Sequence, residues 1–239
     1  MKDKVVLIAG GSGGIGEATA KLFAKAGAKI VLAARNKEKA DQIAADINSN
    51  GGEAFAVDLE VTDMSSVYGM AESVVKELGS IDVLVNAFGT GMIQPLLDAN
   101  PKDIKEVVDV NVYGTILVTQ AVVRHMATAK SGIVVNIPGI LGKAVMKNSS
   151  VYSASKFAVS GFTKALVDEH RRSNIKFSLL YLGGVATPFW DNPNVGMRVQ
   201  KDKMLTPEEI AKAIYYAVTQ PGSSVLNEIV IQPDSHQMV

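Results

Sequence analysis

The feature that most constrains the fold of this chain is the alternation of short apolar runs with longer amphipathic stretches along its 239 residues. This alternation is typical of βαβ units, which build a parallel sheet. In the longer stretches apolar residues recur every three to four positions, which predicts helices. The predicted strands are Lys4–Ala9, Lys29–Ala33, Glu53–Asp58, Val83–Asn86, Gly132–Ile137, Lys176–Tyr181 and Glu228–Ile231, and the main predicted helices are Glu17–Ala26, Lys37–Asn48, Ser65–Leu78, Asp103–Thr128 and Val151–Arg171. The sequence therefore predicts an α/β fold: a Rossmann-type, doubly wound parallel sheet of about seven strands with helices on both faces.

The length and regularity of the chain predict one domain over residues 1–239. A chain of this size with 47% hydrophobic residues can bury one large core, and no repeat or linker divides it. The least regular stretch is 188–204, where Pro, Asn and Gly interrupt the pattern. It is a candidate for a mobile lid over a substrate, and the alternative is an ordinary surface loop.

The charge balance argues against several classes of partner. The chain carries 24 basic and 24 acidic residues, so no net field attracts it to nucleic acid or to an anionic membrane. Its first apolar run, Val5–Ala9, is too short for a membrane span or a signal peptide, and we expect a cytoplasmic protein. Because Cys is absent and the three His show no ligand spacing, we expect no metal site.

A glycine-rich loop follows the first predicted strand and precedes the first predicted helix. The segment reads Ala-Gly-Gly-Ser-Gly-Gly-Ile-Gly over 9–16, with Gly10, Ser12, Gly14 and Ile15 as candidate binding residues. Glycine lets the backbone approach a phosphate closely, and the N–H groups at a helix N-terminus favour an anion. The loop predicts a pyrophosphate site, although a glycine turn without a ligand has the same composition.

The end of the second predicted strand indicates which dinucleotide is preferred. Folds that bind NAD(H) place an acidic residue there, where it accepts hydrogen bonds from the ribose 2′-hydroxyl. This chain has Arg35 instead, and a guanidinium can pair with a 2′-phosphate. The position favours NADP(H) over NAD(H); the alternative is that Arg35 is a solvated cation in the charged run 35–39.

A Tyr and a Lys lie four residues apart near the start of a predicted helix. The i, i+4 spacing of Tyr152 and Lys156 places phenol and ammonium on one face. A nearby ammonium favours phenolate and would bring the pKa of the phenol towards working pH, as a general acid or base requires. On its own this spacing is common by chance, so the other motifs have to support it.

Taken in order, these segments resemble the short-chain dehydrogenase/reductase family from Lys4 to about Thr187. The resemblance implies a catalytic Asn at Asn111 and a Lys156 that also holds the nicotinamide ribose. It implies further cofactor contacts at Glu60, Val61, Asn86, Val185 and Thr187, in segments similar to the family's Asp-Val-Thr-Asp, Asn-Asn-Ala-Gly and Pro-Gly-x-Val-x-Thr motifs.

One position departs from the family pattern. The family has a catalytic Ser thirteen residues before the Tyr, and this chain has Gly139 there. The lost hydroxyl normally donates a hydrogen bond to the substrate oxygen. Ser149 or Ser150 could supply another donor, although serines before a helix are more often caps.

The resemblance implies an oxidoreductase that transfers a hydride between NADP(H) and a small carbonyl or alcohol substrate, with Tyr152 as general acid or base. The alternative is a catalytically impaired NADP(H)-binding sensor or scaffold that has lost the Ser. The C-terminal predicted strand ends like those of family members that pair subunits there, so the resemblance also implies a homodimer or homotetramer.

Overall fold

The computed structural model describes residues 1–238 and contains one seven-stranded sheet. Its strands are β1 (Val5–Ala9), β2 (Lys29–Ala34), β3 (Glu53–Asp58), β4 (Val83–Asn86), β5 (Gly132–Asn136), β6 (Ile175–Leu182) and β7 (Glu228–Ile231). They lie in the order β3-β2-β1-β4-β5-β6-β7, and every neighbouring pair is parallel. The predicted Rossmann-type fold is confirmed, and each strand lies within one residue of its predicted bounds.

The helices cover both faces of this sheet. They are α1 (Gly14–Lys25), α2 (Lys37–Ser49), α3 (Met64–Leu78), α4 (Pro101–Val108), α5 (Thr115–Ala129), α6 (Ser150–Glu169) and α7 (Pro207–Val218). One apolar core joins the sheet to α1, α2 and α7 through residues such as Phe23 and Ile214. A second core joins the opposite face to α3 and α5 through residues such as Val67 and Val118. The two cores account for the near-continuous burial of the central strands, which the apolar runs of the sequence predict.

The sheet order creates a cleft where β1 and β4 meet. After β1 the chain passes through α1 to β2, which lies on one side of β1. After β4 it passes through α4 and α5 to β5, which lies on the opposite side. Ala9 at the end of β1 is in register with Asn86 at the end of β4, so both connections start at the same edge. Ligands of open α/β sheets bind at such a switch point, outside the carboxyl ends of the strands.

The long helix predicted over Asp103–Thr128 is present within the continuous helical stretch Pro101–Ala129, but it is not regular. A six-residue π-helical turn over Asp109–Gly114 separates α4 from α5, and Asn111 lies within it. The predicted helix is therefore found, and the π turn within it is a local feature that the apolar pattern did not reveal. Such turns occur frequently at functional sites.

The helical stretch Pro101–Ala129, which includes α4, the π turn and α5, is long and apolar enough to cross a membrane. However, 61% of its most apolar window is buried within the fold. Leu117, Val118 and Val122 of α5 belong to the second core. The composition of this stretch therefore reflects packing against the sheet.

Candidate active site

A cavity of about 1050 Å³ opens at the carboxyl ends of the strands. Ten of the predicted site residues line it: Gly10, Ser12, Gly14, Ile15, Arg35, Val61, Tyr152, Lys156, Val185 and Thr187. Within residues 1–238, three other predicted residues, Glu60, Asn86 and Asn111, are absent from its wall. The cavity thus brings together residues that are up to 177 positions apart in the sequence.

The glycine loop forms the floor of this cavity beside β1 and β4. Gly10 has φ +87°, and a Cβ at this position would lie 2.8 Å from the backbone of Ala87 and Phe88. Only glycine fits both the conformation and the contact. The loop then enters α1 at Gly14, whose first turn presents main-chain N–H groups at the cavity.

The far end of the cavity is cationic. Arg35 and Asn36 line it, and so does Lys39, which the sequence analysis did not select. The Asn36 side chain accepts a hydrogen bond from the Lys39 N–H at 3.0 Å, which caps α2 and fixes the start of the helix. Lys37 instead pairs with Asp41. The signal that could have identified Lys39 is its position four residues after Arg35 in the same charged run.

The sign of the lining charge is uniform. Among residues 1–238 the wall contains no Asp or Glu. The Lys and Arg side chains in it are Arg35, Lys39, Lys156, Arg198 and Lys203. A large cleft lined by one sign of charge attracts a ligand of the opposite sign, so the cavity favours an anion.

Tyr152 and Lys156 lie on the same face of α6, as their spacing predicts. The Lys156 Nζ lies 5.5 Å from the centroid of the Tyr152 ring. Burial raises the pKa of the Tyr152 phenol above its ordinary value, and burial lowers the pKa of Lys156 to about 8. The spacing in the sequence predicts that the ammonium lowers the phenol pKa, and in the structure desolvation outweighs that effect. Tyr152 is therefore a protonated acid at neutral pH.

Asn111 lies behind the cavity wall and connects two segments. Its side-chain Oδ1 accepts from the Thr90 N–H at 2.9 Å, and its Nδ2 donates to the Thr90 carbonyl at 2.9 Å. The same Nδ2 donates to the Ser155 Oγ at 3.0 Å, and the Ser155 hydroxyl donates to the Tyr152 carbonyl. Asn111 thus holds the loop after β4 against the start of α6 at Ser155, the residue before Lys156.

The other two residues outside the wall are held by local polar contacts. The Asn86 Nδ2 donates to the Thr119 Oγ1 at 3.0 Å and to the Asn136 Oδ1 at 2.7 Å, which joins β4 to α5 and β5. The Glu60 Oε1 accepts hydrogen bonds from the N–H and hydroxyl of Thr62. The Asn86 amide bonds to neighbouring elements and the Glu60 carboxylate to its own loop, and the cofactor contact of both residues stays a prediction.

Gly139 occupies a conformation that side chains rarely adopt. Its φ is +70° and its ψ is 175°, a region populated almost only by glycine. There is space for a Cβ, whose nearest neighbour would be the Leu182 carbonyl oxygen at 3.6 Å. A Ser at this position would therefore require a different backbone path after β5, and its exclusion is conformational.

Neither of the two suggested replacement donors reaches the cavity. The Ser149 hydroxyl donates to the Met146 carbonyl at 2.6 Å and contacts the Ser153 hydroxyl at 2.8 Å. Ser150 is exposed at the first turn of α6. Within residues 1–238 neither lines the wall, so neither serine replaces the lost hydroxyl in this structure. The expected cap is also absent at Ser149, whose side chain makes no cap hydrogen bond.

Residues of the segment 188–204, which we call the lid after its predicted role, line the cavity together with Tyr152. It contains two short 3-10 turns, Pro188–Asp191 and Lys201–Lys203. The Trp190 Nε1 donates to the Val185 carbonyl at 2.8 Å, and the Phe189 ring centroid lies 5.7 Å from that of Tyr152. Val195 of the lid forms a β-bridge with Ile93. Phe189 of the lid therefore packs against the Tyr152 ring, and Trp190 ties the same 3-10 turn to Val185.

Several known proteins are similar to this chain in sequence or in structure. Residues 4–197 match the family model described as short chain dehydrogenase. An uncharacterized oxidoreductase of Staphylococcus epidermidis is 34% identical over 233 residues, with 98% of each chain covered. Among solved structures, a metagenomic short-chain oxidoreductase in complex with NADP is 28% identical with a TM-score of 0.85, covering 98% of both chains. An alcohol dehydrogenase from Thermococcus sibiricus complexed with 5-hydroxy-NADP superposes with a TM-score of 0.90 at 24% identity, covering 99% of both chains.

Proposed function

Because the chain belongs to the short-chain dehydrogenase family, we propose that it transfers a hydride between NADP(H) and a small carbonyl or alcohol substrate. Its curated relatives are oxidoreductases. The observation that carries the proposal is a single cavity in which a glycine loop, a set of cations and the pair Tyr152 and Lys156 face the same space.

The residues of the cavity fit NADP(H) in charge and shape. The glycine loop and the N-terminus of α1 suit the pyrophosphate, with Gly10, Ser12, Gly14 and Ile15 as its contacts. Arg35 and Lys39 suit a 2′-phosphate, because both are cations in the cavity wall. Among residues 1–238 that wall contains no Asp or Glu, so no carboxylate there repels the phosphate. A related short-chain oxidoreductase has been solved with NADP bound, which supports the same choice here.

The remaining predicted contacts serve both ends of the cofactor in this proposal. Val185 and Thr187 lie in the wall just after β6, beside Tyr152 and Lys156. Val61 lines the adenine side after β3. Glu60, Asn86 and Asn111 support these segments from outside the wall through the hydrogen bonds described above.

The proposed mechanism assigns proton transfer to Tyr152. The cofactor supplies the hydride that reduces the carbonyl carbon to an alcohol. Tyr152, which is protonated at neutral pH, donates the proton to the carbonyl oxygen. Lys156 holds a positive charge against the phenol ring and stabilises the phenolate that remains. Phe189, which packs against the Tyr152 ring and against Trp190, places apolar surface next to the proton donor and would reduce the access of water to it.

The glycine at position 139 sets the expected level of activity. Removing one hydrogen-bond donor to a developing oxyanion typically lowers the rate by ~10²–10³. Positioning, hydride donor and proton donor do not depend on that hydroxyl, so we propose a working enzyme with a lower or more specialised rate. The alternative is the impaired sensor or scaffold, which would bind NADP(H) with no turnover.

The decisive experiment measures NADPH oxidation with a panel of aldehydes and ketones, for the native protein and for Tyr152→Phe. We expect turnover in the native protein and a loss of ~10²–10⁴ in kcat for the variant. NADPH binding, followed by energy transfer from Trp190, the only tryptophan, should be unchanged. Full activity in the variant would refute Tyr152 as the acid, and binding without turnover in the native protein would favour the sensor.

The other parts of the proposal rest on the same family membership. We propose a small-molecule substrate, a homodimer or homotetramer, and a cytoplasmic protein of one domain. Nucleic acid and membranes remain disfavoured as partners by the charge balance.

A further inference from the structure

The segment that follows β7 turns back to the cavity and contributes to its wall. We call residues 232–238 the tail. Pro233, Ser235, His236 and Met238 of the tail line the cavity. Met238 packs on an apolar cluster formed by Ile140, Leu141, Leu179 and Tyr181, and Tyr152 packs on the same cluster. The tail therefore reaches the side of the site where the phenol lies.

A side-chain amide holds the tail in this position. The Gln232 Oε1 accepts from the Met238 N–H at 2.7 Å, and the Gln232 Nε2 donates to the Met238 carbonyl at 3.1 Å. The Gln232 side chain thus satisfies both backbone polar groups of Met238, much as a neighbouring strand would. A turn between these residues is closed by a hydrogen bond from the His236 N–H to the Pro233 carbonyl.

The tail is also joined to the lid. The Ser235 hydroxyl donates to the Lys203 carbonyl at 3.2 Å, at the second 3-10 turn of the lid. The tail and the lid are therefore adjoining parts of the cavity wall, next to the apolar cluster on which Tyr152 packs. A ligand that displaces one of them will disturb the other.

We infer that Met238 is a specificity-determining residue of this site and that Gln232 positions it. With Ile140, Leu141, Met146 and Phe189 it forms an apolar subsite beside the Tyr152 phenol. This inference rests on the proposed function and names its substrate class: ketones, or the matching secondary alcohols, that carry an alkyl or aryl substituent on the reacting carbon. The thioether of a Met adapts to substituents of different shape.

The position of Met238 distinguishes this role from a purely structural one. Leu179 and Tyr181, on the core side of the cluster, are at most 2% exposed. Met238 is only partly buried and lines the open cavity. Truncating it changes the surface that a ligand meets, whereas the core below it is already closed.

The test compares two methyl ketones that share a reacting group, butan-2-one and octan-2-one. Only the longer one should reach the apolar subsite. In Met238→Gln, of similar length but polar, and in Gln232→Ala, we expect the KM for octan-2-one to rise roughly 10-fold. The KM for butan-2-one and the kcat for both should stay within about twofold of the native values, since the proton donor is untouched.

Two controls separate the role of Met238 from general damage to the tail. Met238→Leu keeps an apolar side chain of similar volume and should restore near-native KM values. Gln237→Ala removes an exposed amide from the same turn and should change neither ketone. A loss that affects both ketones equally, or that Met238→Leu fails to restore, would overturn the inference.

A second readout makes the result independent of turnover. The dissociation constant of each ketone is measured by Trp190 fluorescence with NADP⁺ present, and the octan-2-one value should rise roughly 10-fold in Met238→Gln. Absence of NADPH binding, or of turnover with any carbonyl, would count against the proposed function. Native protein that binds octan-2-one no better than butan-2-one, or variants with unchanged binding, would overturn the inference alone.

Discussion

At the scale of single residues, the site depends on two side chains whose pKa values are shifted by burial. Lys156 is 6% exposed and lies against a phenol ring. Burial shifts both groups towards their neutral forms, because it raises the pKa of Tyr152 and lowers that of Lys156, which at about 8 still leaves Lys156 charged at neutral pH. The arrangement keeps a proton on the phenol and leaves Lys156 responsive to mildly alkaline pH.

The buried ammonium predicts a pH-dependent stability. The pKa of Lys156 is lowered from 10.5 to about 8, so below pH 8 the folded state carries a buried charge that the unfolded chain holds in water. Between pH 8 and 10.5 the folded state binds fewer protons than the unfolded chain, and this penalty is relieved. Relative to Lys156→Met, the native protein should therefore gain about 3 kcal/mol of unfolding free energy over that window.

The measurement is urea unfolding of both proteins at several pH values from 7 to 10.5. Lys164→Met is the matched control, because Lys164 is exposed and its hydrogen bond to Glu228 raises the pKa of its ammonium. The Lys164 contribution is present below 10.5 and should not produce a rise in the window. Parallel curves for the native protein and Lys156→Met would contradict the lowered pKa.

The cations at the adenine end predict cofactor selectivity. Arg35→Ala and Lys39→Ala should each raise the dissociation constant of NADPH by roughly 10-fold, since each removes a charge-assisted hydrogen bond to the 2′-phosphate. Binding of NADH should change little. Both side chains are exposed, so the effect should shrink at high salt.

Lys37→Ala provides the control for this prediction, because Lys37 belongs to the same charged run and is paired with Asp41. Titration by Trp190 fluorescence with each cofactor measures the effect. Equal losses for NADPH and NADH in Arg35→Ala would mean that this guanidinium contacts the part that the two cofactors share.

At the scale of elements, each functional residue owes its position to where a strand or helix ends. The glycine loop follows β1, Gly139 follows β5, and Val185 follows β6, so parallel strands deliver three distant segments to one edge. The π turn between α4 and α5 carries Asn111, whose hydrogen bonds to Thr90 fix the loop after β4.

The end of the lid is set by the start of α7. Thr206 accepts a hydrogen bond from the Glu209 N–H, and the Glu209 side chain accepts from the Thr206 N–H, so the two residues form a capping box. Thr206→Ala should lower the free energy of unfolding by about 1 kcal/mol. Thr219→Ala, at the other end of α7, leaves the N-terminal cap intact and should have a smaller effect in urea unfolding; an equal effect would argue against the cap.

At the scale of the whole molecule, the surface carries apolar side chains that a second copy could cover. Tyr113 of the π turn, Ile116 of α5 and Phe157 of α6 are 46%, 37% and 43% exposed. Val230 of β7, at the edge of the sheet, is 47% exposed. Oligomer formation remains a prediction, and these residues give it two surfaces to test.

Light scattering should give a mass of two or four times 25.3 kDa. Phe157→Glu and Val230→Glu each place a charge on one of the two surfaces, and at least one of them should lower the mass. A native monomer would refute the predicted oligomer. A native oligomer that both variants leave unchanged would place its interface elsewhere.

The sequence by itself determined the parts of this protein that depend on local patterns. The alternation of apolar runs with amphipathic stretches was sufficient for the seven strands and their type of sheet, because strand and helix periods are properties of neighbouring residues. The glycine loop and the spacing of Tyr152 and Lys156 were equally readable, since the chemistry of each lies within a few residues.

Only the tertiary structure decided which way side chains face and what distant segments meet. Asn86 follows a strand at the site, yet its amide bonds to Thr119 and Asn136. The conformation of Gly139 and the pKa of Tyr152 depend on packing and burial by segments far away in the chain. The tail contributes Met238 to the wall through a hydrogen-bonded turn, and no local sequence pattern predicts a contact of this kind.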